Sequence, residues 1–205
     1  MKTKIYFVAI LMAALSFTAS AQFMNSTSNS GSSDNGTFRI VHGGFSSMSF
    51  DGESLSGGVF GIDLAFSINN SPLYALAGIQ GSYNTKSESG VKISFIGADV
   101  PVSIGYKFIL SEGNTEVSLL PYAGINARYY FSGKGSANGE SIDLFSDTDM
   151  DGYAYKPFHF GAQIGTKVLI DKFAVGIEYL PYFTKLIPDY DKKISYFQIS
   201  VGYTF

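Results

Sequence analysis

The sequence predicts an all-β chain, with eight antiparallel strands closed into an up-and-down barrel that crosses a membrane. Three observations carry this prediction. Apolar and polar residues alternate up to the last position, as in YFQISVGYTF (Tyr196–Phe205), and a period of two marks a strand with one apolar and one polar face. The connections between such segments alternate between short and long. Apolar residues make up 45% of the 205-residue chain and charged ones only 15%, so the apolar surface is spread over short alternating segments, as membrane barrels write it.

The chain starts with two lysines, an apolar run from Ile5 to Phe17, and Ala19-Ser20-Ala21. That order predicts a secretory signal peptide over 1–21, cleaved after Ala21; the run is too short for a membrane anchor. Cleavage removes Lys2 and Lys4, taking the formal charge from −3 to −5. An acidic product does not suit nucleic acid. Cysteine is absent, which excludes disulfides and an N-terminal cysteine lipid anchor. Residues 22–36 (QFMNSTSNSGSSDNG) have almost no apolar side chains and read as a flexible leader. The barrel domain then spans 37–205.

The eight strand segments follow in order. The first (about Thr37–Phe45) and third (about Leu73–Tyr83) alternate loosely, and their facing stays open. In the second, Phe60, Ile62, Leu64, Phe66 and Ile68 oppose Gly61, Asp63 and Ser67. The fourth, VKISFIGADVPVSIGYKFIL, changes phase near Phe95–Ile96, for which a β-bulge is the simplest cause. In the fifth, Val117, Leu119, Ala123, Ile125, Ala127, Tyr129 and Phe131 oppose Ser118, Gly124, Asn126 and Arg128. In the sixth, Phe158, Phe160, Ala162, Ile164, Val168 and Ile170 oppose His159, Gln163 and Lys167. In the seventh, Phe173, Val175, Ile177 and Tyr179 oppose Gly176 and Glu178. The eighth is the terminal segment.

Short connections fall at Asn69–Pro72, Ser111–Asn114 and Asp171–Lys172. Long ones are expected at Ser46–Ser54, Asn84–Gly90, Ser132–Lys156 and Thr184–Lys193. Strict alternation places both chain ends on the short-turn side, the layout of outer-membrane barrels. Aromatic residues are expected in two interfacial girdles. Tyr129, Tyr130, Phe131, Tyr153, Tyr155, Phe158 and Phe160 would form the outer one, and Tyr106, Phe108, Phe173, Tyr203 and Phe205 the periplasmic one. Mid-strand glycines (Gly61, Gly124, Gly161, Gly165, Gly176, Gly202) lie on the polar face, where a narrow lumen needs small residues.

That face also carries Asp63, Asp99, Arg128, Lys167 and Glu178, with Asn126, Gln163 and His159. An eight-stranded lumen is just wide enough to be filled by side chains, and buried charges need partners. These five residues are therefore expected to close the lumen as a charge network; the rival is a narrow ion path along the same residues. Asp147, Asp149 and Asp151 precede Gly152 like the opening of a calcium loop, but Phe158 stands where the twelfth-position Glu is required. An acidic loop tip is the plainer reading, with weak surface calcium the alternative and no other cofactor expected. His42 and His159 are the two histidines, both expected towards the outer rim. No nucleophile-elbow, phosphate-loop or zinc spacing occurs, so no catalytic residue is assigned; a barrel hydrolase is the remote alternative.

The segments SFIGADVPVSIGYKF, LLPYAGINARYYF and PFHFGAQIGTKVLI resemble the outer-membrane β-barrel proteins common in Bacteroidetes, often called PorT-like. The match includes Val100-Pro101-Val102 and Pro121-Tyr122-Ala123-Gly124, the glycine one place earlier than in the family pattern. It covers roughly 37–205; more distantly, the size is similar to OmpA/OmpX-type barrels. The resemblance implies an outer-membrane location, contact with outer-membrane lipids, and recognition of Tyr203 and Phe205 by barrel-assembly machinery. The role expected is structural or surface recognition through the loops, with a small porin-like channel or secretion accessory as the alternative.

Overall fold

A computed structural model describes residues 36–50, 52–111, 115–137, 140–145, 155–187 and 193–205. The strands are β1 (Phe38–Phe50), β2 (Glu53–Ser67), β3 (Leu73–Glu88), β4 (Val91–Tyr106), β5 (Phe108–Ser111), β6 (Val117–Ala137), β7 (Glu140–Asp143), β8 (Phe158–Ile170), β9 (Phe173–Lys185) and β10 (Lys193–Thr204). Each pairs antiparallel with its neighbours in the order β4-β3-β2-β1-β10-β9-β8-β6, and β6 pairs back onto β4. The ring is a closed eight-stranded barrel. β5 continues β4 past Lys107 along the start of β6, and β7 folds back on the end of β6. Phe205 and Arg39 exchange backbone hydrogen bonds of 3.1 Å, so the last residue helps to seal the β1–β10 seam.

Along the lower part of the barrel, outward side chains are apolar and exposed, among them Ile62, Val102, Ile125, Ile164, Ile177 and Ile199. Phe45, Phe60, Tyr83, Ile96, Phe131, Phe158, Phe183 and Phe197 end this band at the loop end. Tyr106, Phe108, Phe173, Tyr203 and Phe205 end it where the chain terminates. Above the upper ring the strands continue, with Ser47, Ser54, Ser56, Ser87, Lys92 and Lys193 outward. β3 and β4 have 16 residues each, against the roughly 9–11 that cross a bilayer.

Polarity inverts at that ring. Below it the outside is apolar and the inside polar; above it Met48, Leu55, Phe95, Ile194 and Tyr196 point inward and are buried. The phase change at Phe95–Ile96 therefore has a different cause from the one expected. Residues 95, 97, 99, 101, 103 and 105 of β4 face inward without interruption, as Phe95, Asp99, Pro101 and Ser103 show by their burial. What changes is the solvent outside. A register shift does lie opposite Ile96 and Gly97, but its extra residue is Phe131 of β6, after which Gly133 and Gly135 take the inward positions.

Two connections expected to be long are tight. β3 and β4 meet across Ser89 and Gly90, both at positive φ (50° and 81°), as a two-residue hairpin of the twist-matching kind requires. β1 and β2 are joined by residues 51–52, with Gly52 at φ 82°. Their flanks lack an apolar face and so read as loop. Asn69 and Asn70 (φ 53° each) and Asp171 (φ 49°) turn the chain at the opposite end, where Asn and Asp tolerate the left-handed region.

The lipid-facing assignment predicts a contrast along the outer surface. Ile164→Arg, in the middle of the band, should cost about 2–4 kcal/mol of stability in bilayers. Ser56→Arg, above the ring, should stay within about 0.5 kcal/mol. Guanidinium unfolding of both variants from lipid vesicles checks this.

Candidate functional site

The polar residues of the lumen form two ion clusters between apolar layers. In the upper cluster Arg128 of β6, fully buried, donates from Nη1 to Asp99 Oδ2 at 2.8 Å and from Nη2 to the Ser82 hydroxyl. Asp99 Oδ1 also accepts from Asn126 Nδ2 at 2.9 Å and from the Tyr182 hydroxyl. The guanidinium lies over the Tyr196 and Tyr130 rings, 3.8 and 4.9 Å from their centroids, and the two tyrosine hydroxyls hydrogen-bond at 2.7 Å. Register places Asp99 directly opposite Arg128, so the pair follows from the sheet itself.

In the lower cluster the Lys167 ammonium bridges Asp63 Oδ2 and Glu178 Oε1, each at 3.0 Å. Gln163 donates to Glu178 Oε2 at 3.0 Å and accepts from the Ser103 hydroxyl at 3.1 Å. His42 Nε2 lies 3.3 Å from Asp63 Oδ2. Small residues seat these chains: a Cβ at Gly61 would meet the His42 ring at 2.8 Å, and one at Gly165 the Tyr122 hydroxyl at 2.6 Å.

Apolar side chains seal both sides. At the terminal end Ala65, Tyr74, Leu76, Leu120 and Tyr122 pack together, beside Ile40, Leu169 and Ala174. At the loop end Phe95, Tyr130, Leu180, Tyr182 and Leu186 join Leu144, with Phe145 and Tyr155 against them. Leu144, Phe145 and Tyr155, from the connection after β6, pack in the mouth. Leu144 N–H bonds the Gly133 carbonyl at 2.9 Å, and Tyr155 N–H bonds the Leu144 carbonyl at 3.0 Å.

The structure brings the five charges singled out in the sequence together as Arg128–Asp99 and Asp63–Lys167–Glu178. Asn126, Gln163 and His159 are buried with them. Two expectations need correction. Tyr130 and Tyr155 are not girdle residues: Tyr130 is 1% exposed inside the barrel and Tyr155 packs on Phe95 and Phe145 in the mouth. His42 is not at the rim either but in the lumen beside Asp63. His159 does lie near the loop end, buried, with Nε2–H donated to the Lys156 carbonyl at 2.8 Å and Nδ1 3.0 Å from the Thr184 hydroxyl. That hydroxyl also accepts from Phe160 N–H at 3.2 Å. A neutral carbonyl gives an imidazolium no charge partner, unlike the carboxylate of a hydrolase triad. Asp147, Asp149, Asp151 and Tyr153 lie outside the described residues, and among the described residues no group of three acids or histidines is placed to hold a metal.

Sequence reasoning misplaced His42 and Tyr130 and gave no lumen role to Ser82, Tyr122, Tyr182 and Tyr196. The signal for Tyr182 and Tyr196 was present, since each sits on the polar parity of its strand; Tyr130 was read as a girdle residue by type rather than by position.

A closed barrel with an apolar outer band and a paired polar interior defines an integral membrane β-barrel. The chain belongs to the family described as outer membrane protein beta-barrel domain, which matches residues 7–205, and this places it in the outer membrane. No curated protein sequence matches it. Solved structures similar in shape include Ail of Yersinia pestis in complex with sucrose octasulfate, at 17% identity and TM-score 0.45 over 82% of this chain and 97% of that one. Neisserial surface protein A matches at 14% and 0.44, over 85% and 100%. The outer membrane enzyme PagL matches at 14% and 0.45, over 80% and 97%.

Arg128→Met should destabilise the barrel by about 3–5 kcal/mol, because it strands Asp99 as a buried unpaired charge. Adding Asp99→Leu to that variant should recover most of the loss. A double-mutant cycle by denaturant unfolding in lipid checks the coupling.

Proposed function

We propose that the protein is an outer-membrane scaffold with a solute-tight lumen, presenting its loop end for recognition at the cell surface. The observation that carries this reading is the pair of apolar layers above and below the two buried ion clusters. Charges that are bonded to one another and capped by packed rings leave no hydrated file for ions. In this reading the end bearing both termini faces the periplasm, the partners are outer-membrane lipids and an unidentified surface ligand, and no reaction is catalysed. Recognition then falls to the segment after β6, since loops on a rigid scaffold are where binding varies. Weak calcium binding at Asp147, Asp149 and Asp151 belongs to the same segment. Kinship with the PorT-like barrels of Bacteroidetes is supported by Val100-Pro101-Val102 and Pro121-Tyr122. The sealing of the last seam by Phe205 fits a role for Tyr203 and Phe205 in assembly. A narrow channel or secretion accessory is the competing role.

Two measurements test the proposal. Planar-bilayer recordings should show no steady unitary conductance; a reproducible single-sized level favours the channel. Because Tyr155 and Leu144 are hydrogen-bonded, residues 146–154 can be replaced by a short glycine linker. The variant should insert normally and lose the partners captured from intact cells, whereas retention of every partner contradicts recognition by this segment.

A further inference from the structure

The chain has no cysteine, so no disulfide ties its two halves together. One contact in the lumen has the chemistry for a different covalent tie. Lys167 of β8 reaches both Asp63 of β2 and Glu178 of β9, its Nζ lying 3.0 Å from Asp63 Oδ2 and 3.0 Å from Glu178 Oε1. Along the ring β2-β1-β10-β9-β8, the strands β2 and β8 stand four apart, so the Lys167–Asp63 contact crosses the lumen from wall to wall. All three side chains are buried. Other ion pairs differ. Arg128 against Asp99 is as dry, but a guanidinium does not give up its proton inside a protein. Lys86 meets Glu53 and Glu88, and Lys107 meets Glu116, but these acids are exposed.

We propose that Lys167 and Asp63 become joined by an amide bond, with Glu178 carrying the proton. The reaction needs nothing beyond the chain itself. One ammonium proton passes along the 3.0 Å hydrogen bond from Lys167 Nζ to Glu178 Oε1, which frees the nitrogen lone pair. That pair forms the N–C bond to Asp63 Cγ. Glu178 hands its proton to Oδ2, a second proton leaves the nitrogen for the same oxygen, and the C–Oδ2 bond breaks. An ammonium and a carboxylate have then become a secondary amide and one water, and Glu178 is as it began.

Three observations favour the step. Packing holds amine and carboxylate at contact distance, the arrangement in which groups on one scaffold react far faster than the same groups free in water. The site is dry, so the ion pair has lost its hydration, whereas the amide has no charge to desolvate. The product water also has a place, because the space beside Asp63, Gln163, Lys167 and Tyr122 has room for about one water. The new bond closes a loop of roughly 100 residues, and links across long loops restrict the unfolded chain most. It would supply what disulfides supply in other exported domains. The inference goes beyond the closed-lumen reading and does not rest on it, since the lumen is filled whether the contact is ionic or covalent.

The test is the intact mass of the whole barrel, refolded from denaturant into lipid nanodiscs and then denatured again. The chain that has folded should be one water lighter than the same chain never folded. Tandem mass spectrometry should find the peptide holding Asp63 joined to the peptide holding Lys167. Lys167→Arg, which keeps the charge and cannot form the amide, should retain its full mass. Glu178→Gln should form the cross-link at least tenfold more slowly, its folding checked by heat-modifiable mobility on gels. A full mass in the folded wild-type chain after days in the bilayer overturns the proposal. So does a water lost elsewhere, as by ring closure at Asp51-Gly52 or Asp151-Gly152, which leaves the two peptides separate. Cross-linking of Glu178→Gln at the wild-type rate overturns the role given to Glu178.

Discussion

The constraint on which the structure depends is that one continuous sheet stands in two solvents. Its lower part is surrounded by hydrocarbon and its upper part by water, while its inner face is shielded from both. Backbone groups gain nothing from lipid, so every strand must pair on both edges and the sheet must close. Once it closes, side-chain polarity is set by height. Ile96, Val102 and Ile104 face out of β4 in the band, with Asp99 and Ser103 inward. A few residues higher on the same strand, Lys92 and Ser94 face out while Phe95 faces in. β1, β2 and β10 make the same exchange at Met48, Leu55 and Ile194. The upper barrel is built like a water-soluble one, with a core of its own.

This exchange explains which features were legible in the sequence. Strand number, antiparallel order and facing in the second, fifth, sixth, seventh and eighth segments followed from period-two alternation, because a lipid-facing strand alternates strongly. The strand extensions were harder to see. Around Ser46–Ser54 and Asn84–Gly90 small polar residues cover the outside in water, and these stretches look like loops until the turns at Gly52 and Ser89–Gly90 are visible. The change of phase at Phe95–Ile96 was real, but it records the membrane boundary. The bulge that accompanies it lies on β6 at Phe131, where the neighbouring Tyr129 and Tyr130 mask the shift in parity.

The interior shows the same division. Charged residues on a strand's polar parity have nowhere to point but the lumen, so Asp63, Asp99, Arg128, Lys167 and Glu178 were readable one by one. Their division into two clusters depends on cross-strand register and could not be read from a single segment. Tyrosine was the ambiguous residue. Its ring suits a girdle and its hydroxyl suits a buried network, and in Tyr130, Tyr182 and Tyr196 the network prevails: they wrap Arg128 and Asp99 in rings while meeting their hydrogen-bonding needs. Glycine on the inner wall makes room for this packing, as His42 over Gly61 shows.

The most direct test of the two-solvent account follows one strand across the boundary. The chain has no cysteine, so single cysteines at Ser195, Phe197, Ile199 and Val201 of β10 can each carry a nitroxide in the lipid-reconstituted barrel. Power-saturation measurements should find Ser195 accessible to a water-soluble nickel complex, and the other three accessible to oxygen and shielded from nickel. Four labels equally open to nickel would contradict the account, because the apolar band would then face water.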